Sequence, residues 1–174
     1  IKNPTILLEP FGRNTAPAIT AAALQSIKDS GDSILLVLSA DHIIKDNDAL
    51  HQAIKVASEQ AQSGKIVALG VEPLNANTGY GYIKMGRQDE DGFVVDKFVE
   101  KPSSEVAREY IESEGYLWNS GMFLFKASRY LEELEKFRPD IYEACRASIV
   151  DIKSDLDFLR VTKDKFYECP SESI

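Results

Sequence analysis

Apolar positions along this chain come first as short unbroken runs separated by helical spacing, and then as alternating runs. The earliest run, Ile6-Leu-Leu8, stops at Glu9-Pro10. From about Thr15 to Asp29 the spacing is helical: Thr15 is placed to cap, Pro17 is tolerated in the first turn, and Gly31 lies just past the end. Ser33–Ser39 is an uninterrupted apolar run, which suits a strand buried on both faces of a parallel sheet. A second helix is predicted over Asn47–Ser63, with Leu50, Ile54, Ala57 and Ala61 on one face and Gly64 as its stop. Ile66–Val71 is again a continuous apolar run. The first seventy or so residues thus read strand-helix-strand-helix-strand, the pattern of a right-handed parallel α/β sheet.

The rhythm then changes. Tyr80–Met85 and Phe93–Val99 are predicted as strands joined by the polar turn Arg87–Gly92. A helix is expected over about Ser104–Glu114 and a strand at Met122–Phe125. Two more helices, Ser128–Phe137 and Pro139–Val150, are split at Arg138-Pro139. Beyond them the periodicity is weak, and the chain reads as one partial domain, 1–174, cut short at both ends.

Composition narrows the function. The chain has 174 residues, with 28 acidic and 20 basic side chains and a net charge of −8. A chain of this size buries a substantial core. The acidic balance argues against nucleic acid as a main partner, and no apolar run approaches the roughly 20 residues that span a bilayer. Cys145 and Cys169 have no metal spacing, and two lone thiols fit a buried role in a reducing cytoplasm.

Five segments carry candidate chemistry. Ser39-Ala-Asp41-His42 follows a buried strand, where open α/β sheets bind ligands. Asp41 there can hold Mg²⁺ or simply cap the next turn, and His42 is the weaker candidate. Glu9–Ala18 is a strand-to-helix turn containing Gly12, Arg13 and Asn14, whose backbone N–H groups could meet an anion or a base edge. It equally fits an ordinary βα turn. In Asn77–Tyr82, Gly79 and Gly81 permit close backbone approach, and the tyrosines could face a sugar ring or pack on the core. At Phe98–Pro102, Glu100 can accept from hydroxyls and Lys101 can meet a phosphate, or the two form a surface ion pair. In Trp118–Phe123, Asn119 offers both a donor and an acceptor. A strand ending at Asp41 and another at Lys101-Pro102 also fit a phospho-accepting receiver domain. That fold needs an acidic pair where this chain has Glu9-Pro-Phe-Gly-Arg13.

Taken in order, EPFGRNTAPA, LSADH, TGYGYI, FVEKP and WNSGMF resemble the mannose-1-phosphate guanylyltransferase family, bacterial type, over Ile6–Ile174. The resemblance implies a Rossmann-like nucleotide-diphospho-sugar transferase core with a mixed sheet. It also implies formation of GDP-mannose and pyrophosphate from GTP and mannose 1-phosphate with Mg²⁺, in polysaccharide biosynthesis. On this likeness Asp41 is catalytic and a metal ligand, and Lys101 meets the sugar phosphate. Glu100, Asn119 and the Gly81 backbone hold mannose hydroxyls. Glu9, Gly12, Arg13 and Asn14 lie near the guanine base.

Ser39 departs from the family's usual Pro, a change expected to alter only the turn. The family's Gly-rich GGxGxR loop and its second metal Asp are not among these residues. The segment alone is therefore expected to be inactive, and a sheet short of a strand leaves an edge open to another copy. The alternatives are another sugar-nucleotide pyrophosphorylase, or a non-catalytic binding or receiver-like module.

Overall fold

The computed structural model describes residues 4–174. It divides into two compact units. Of the described residues, one comprises 4–35, 64–66 and 125–174; the other comprises 36–63 and 67–124.

The first unit is built on helices α1 (Thr15–Ser30), α4 (Ala127–Phe137), α5 (Pro139–Val150) and α6 (Lys163–Tyr167). Alanines at positions 16, 21 and 23 are buried, so α1 packs with little side-chain bulk between it and its neighbours. Phe125, Ile141 and Phe166 are fully enclosed, and Phe125 stacks on Tyr130 at 4.9 Å between ring centroids. Strand β1 (Ile6–Leu8) pairs in parallel with β8 (Phe158–Arg160), which pairs antiparallel with β7 (Lys153–Asp155).

This corrects the expected run of three parallel neighbours. β1 is claimed by a strand some 150 residues away, in the stretch where the sequence shows little periodicity. Strand pairing depends on which edge is free in three dimensions, and local pattern does not carry that information.

The second unit holds a sheet ordered β2 (Ile34–Val37), β6 (Tyr116–Lys126), β4 (Tyr82–Asp89), β5 (Gly92–Val99), with β3 (Val67–Val71) also on β6. The boundary between the units falls inside β2 and β6. The pairs β3–β6, β4–β6 and β4–β5 are antiparallel. With the parallel β1–β8 pair, the chain is α/β with both strand senses.

β2 and β3 are not buried on both faces as their composition suggested. Leu36, Leu38 and Val71 stay 37, 51 and 46% exposed. The hairpin turn is tighter than expected, because β4 runs on to Asp89 and pairs with Gly92 across Glu90-Asp91. β6 is also longer than its predicted apolar core, starting at Tyr116. Helix α2 (Asn47–Gln62) buries Ala57 and Ala61 and packs on β3, and α3 (Ser104–Glu112) packs Ala107 and Tyr110 against Tyr82.

Candidate functional site

Three residues singled out from separate motifs meet in the second unit. β4 begins just after Gly81, β5 ends just before Glu100, and the middle of β6 supplies Asn119. The Asn119 N–H donates to the Gly81 carbonyl at 2.7 Å. A Cβ placed on Gly81 would lie 2.7 Å from Glu100 Oε2, 3.3 Å from Phe98 Cζ and 3.5 Å from Asn119 Cβ. A side chain here would displace the Glu100 carboxylate, so glycine is what lets that carboxylate stand where it does.

The Gly121 N–H donates to Asn119 Oδ1 at 3.2 Å, which fixes the amide. A sugar hydroxyl would then meet its Nδ2 end as an acceptor. Ser120 Oγ donates to the Leu69 carbonyl at 2.6 Å and accepts from Met122 N–H at 3.1 Å. These bonds hold the strand irregularity opposite Gly70 that turns Asn119 out of a plain ladder.

The tyrosines of the same segment divide between the two readings. Tyr82 is fully buried, donates to the Asn77 carbonyl at 3.0 Å, and packs on Tyr110. Tyr80 is exposed and sits edge-on to Trp118 at 5.0 Å. Trp118 Nε1 is buried without a hydrogen-bond partner. Phe98 lies against the cradle, although its segment suggested no role for it beyond packing, while Trp118 packs against the Tyr82–Tyr110 cluster. Lys101 follows Glu100 with φ at 43°, a left-handed conformation uncommon for lysine.

Asp41 belongs to the same unit, in the exposed turn after β2. Ser39 Oγ donates to Asp41 Oδ1 in a short bond, and this hydroxyl holds the Asp41 carboxyl below its ordinary pKa. Ser39 therefore does more than alter the turn. Proline there would have no hydroxyl to give. His42 is exposed beside Asp41.

Among the described residues no group of three His, Cys, Asp or Glu side chains could enclose a metal ion. A single ionised carboxylate fits Mg²⁺, which takes one or two protein carboxylates and completes its shell with water and phosphate oxygens. It does not fit a transition metal held by protein alone.

The remaining candidates lie in the first unit. Asn14, not Thr15, caps α1, accepting from the Thr15 N–H at 2.8 Å. The Ala16 N–H is taken by the Glu172 carbonyl at 3.0 Å, and Pro17 has none. The first two amides of the helix are thus used within the chain. The unpartnered groups are on side chains instead. Glu9 Oε1 and Arg13 Nε are buried without partners, and burial pushes the Glu9 carboxyl pKa up. A half-buried acceptor and a donor four residues apart suit a ligand that offers both kinds of group. Arg13 Nη2 donates to the Tyr167 carbonyl at 2.8 Å, and Phe11 and Tyr167 form an edge-on pair beside it. Gly12 has open space where a Cβ would stand, so no steric demand selects it.

Residues 2–164 match the model of the nucleotidyl transferase family. The chain is 54% identical to a mannose-1-phosphate guanylyltransferase of Salmonella muenchen, over 97% of this chain and 36% of that protein. It is 51% identical to a xanthan biosynthesis protein of Xanthomonas campestris, over 100% of this chain and 37% of that one. The chain thus spans little more than a third of the length of these relatives. Among solved structures, mannose-6-phosphate isomerase from Helicobacter pylori superposes with a TM-score of 0.87 at 36% identity, covering 100% of this chain and 68% of that one.

Proposed function

The chain belongs to the nucleotidyl transferase family, and we propose that it supplies the sugar side and the base side of a mannose-1-phosphate guanylyltransferase. The reaction joins GTP and mannose 1-phosphate to give GDP-mannose and pyrophosphate. An oxygen of the sugar phosphate attacks the α-phosphorus of GTP in line, and the bond from that phosphorus to the bridging oxygen of the β-phosphate breaks. The observation that carries this reading is the cradle of Gly81, Glu100 and Asn119, drawn together from two strand ends and the middle of a third strand.

Such a site would orient a small polyol through a carboxylate and an amide, with Phe98 beside it. Positioning is most of what a phosphoryl-transfer enzyme must provide. Glu100 would accept from mannose hydroxyls and Asn119 would donate to them. Lys101 would place its ammonium against the sugar phosphate. Glu9 and Arg13 would face the base: a carboxylate can accept from the two N–H groups on one edge of guanine, while a guanidinium donates to its carbonyl oxygen. Gly12 and Asn14 would shape that turn. Asp41 would hold Mg²⁺, which when bound supplies positive charge to the phosphates. The two units would together form one domain, as a family match running through both suggests. The free thiols are in keeping with the cytoplasm.

The test is production of GDP-mannose by the full-length protein carrying this sequence, given GTP, mannose 1-phosphate and Mg²⁺. Product formation is expected, and Asp41→Asn should lower kcat at least about tenfold with the fold retained. Absence of product would overturn the reading. An unchanged kcat and Mg²⁺ dependence in the variant would remove the metal role of Asp41.

A further inference from the structure

The Glu9–Thr15 turn is held in place by a segment far along the chain. The Glu172 N–H donates to the Arg13 carbonyl at 3.2 Å, and the Glu172 carbonyl accepts from the Ala16 N–H at 3.0 Å. Two residues on, the Ile174 N–H donates to Thr15 Oγ1 at 3.0 Å. These bonds flank Asn14, whose φ of 67° and ψ of −167° form a pair of angles essentially restricted to glycine. A residue persists in that region only when its surroundings dictate it, and here the surroundings are the strap from Cys169 to Ile174.

The strap in turn is held by Arg138. Arg138 occupies the junction of α4 and α5, its own N–H bonded to the Leu134 carbonyl at 2.7 Å. Its Nε and Nη2 donate to Asp140 Oδ1 and Oδ2 at 3.0 and 2.9 Å, which fixes the guanidinium plane on the helical frame. The remaining nitrogen, Nη1, donates to Glu172 Oε2 at 2.5 Å. A planar fork with several donors can hold two carboxylates in a set relation, which a lysine cannot do. Arg13 is tied to the end of α6, just ahead of that strap, through the Tyr167 carbonyl.

We infer that Arg138 is a positioning residue for the nucleotide side of the site, acting through Glu172 to hold the Arg13–Ala16 backbone and so aim Glu9 and Arg13. The inference rests on the reading of this turn as the base-binding part. Sequence gave no hint of it: Arg138 marked only a helix break, and Glu172 lay in a stretch without periodicity.

The test uses the full-length enzyme and measures KM for GTP, KM for mannose 1-phosphate, kcat and Tm in five variants. These are Arg13→Ala, Arg138→Ala, Arg138→Lys, Glu172→Gln and the Arg138→Ala/Glu172→Gln double variant. Arg138→Ala and Glu172→Gln should each raise KM for GTP about three- to tenfold. KM for mannose 1-phosphate should stay within about twofold of the parent, and the double variant should be no worse than the worse single one. Arg138→Lys, able to keep one contact and not both, should fall between parent and Arg138→Ala.

If Arg13→Ala raises KM for GTP but Arg138→Ala and Glu172→Gln do not, the positioning inference fails and the site reading stands. If Arg13→Ala leaves KM for GTP unchanged, the base-binding reading fails and the inference with it. A joint rise of both KM values with a fall in Tm would assign Arg138 to the fold alone and overturn the inference. Additive effects in the double variant would overturn the route through Glu172. Glu172→Gln is nearly isosteric, so it keeps the test informative should Arg138→Ala fail to fold.

Discussion

At Gly81 the site depends on a side chain that is not there. A methyl group would stand 2.7 Å from Glu100 Oε2, so the carboxylate would have to swing away. Gly81 is not among the glycines with positive φ, so alanine would meet no backbone strain. Gly81→Ala should therefore keep Tm near that of the parent while raising KM for mannose 1-phosphate about tenfold to a hundredfold. An unchanged KM would mean that Glu100 does not meet the sugar. Lys101 poses the opposite problem, because its ammonium is wanted in a backbone state that costs roughly 1 kcal/mol for a non-glycine residue. Lys101→Ala keeps that cost, whereas Lys101→Gly removes it. Both should raise KM for mannose 1-phosphate by tenfold or more, on the order of the loss of one charge-assisted bond. The alanine variant should match the parent in Tm, and only the glycine variant should exceed it. If the KM values stay level, Lys101 is a solvated surface lysine. The motifs marked Gly81, Glu100 and Asn119, and these three are the residues that the fold brings together. The motifs could not show that Ser39 bonds Asp41, because a serine two residues from an aspartate is common in turns with no such bond.

Among the elements, helix α4 shows a cap supplied from outside its own sequence. Its first residues carry no capping side chain of their own. Asp32 supplies one instead, accepting from the Ser128 N–H at 2.9 Å and from Ser128 Oγ at 2.8 Å. These bonds hold the Asp32 carboxyl below its ordinary pKa, the backbone bond having the larger effect. The folded pKa lies below the unfolded one, so the cap contributes fully above about pH 4 and is lost as the pH falls through the folded value. Asp32→Ala should cost about 0.5–1 kcal/mol at pH 7, the low end of the range for caps since the site is exposed. In urea titrations the gap between variant and parent should close as the pH is taken well below the ordinary carboxylate range. A gap that persists at low pH would show that the carboxylate is not the source. The helices themselves were legible because their caps, prolines and apolar spacing are local: α5 begins and ends where Pro139 and Val150 predicted. The strands were less so. The apolar core of β6 was visible, but its extension through Asn119 was not, since a stretch of mixed polarity becomes strand only when neighbours on both sides offer backbone partners.

Across the whole molecule, the thiols measure how tightly the first unit is closed. Cys145 and Cys169 are both buried, with Sγ atoms 3.8 Å apart, in contact but not bonded. Burial pushes both thiols up from their ordinary pKa, so little thiolate forms near neutral pH. Iodoacetamide at pH 8 should label neither in the native protein and both after denaturation, as read by mass spectrometry. Fast native labelling at either position would show that this unit opens locally. The sequence by itself determined that these cysteines sit apart from any metal pattern, and that the chain alternates helices with strands. Those properties follow from residue type and near-neighbour spacing. Tertiary structure alone decided that β1 pairs with β8, that Gly81, Glu100 and Asn119 share one cradle, and that Glu172 secures the turn around Asn14. Each of these joins residues between 19 and about 160 positions apart, and which distant groups meet is set by packing, where the periodicity of a local segment carries no record of its partner.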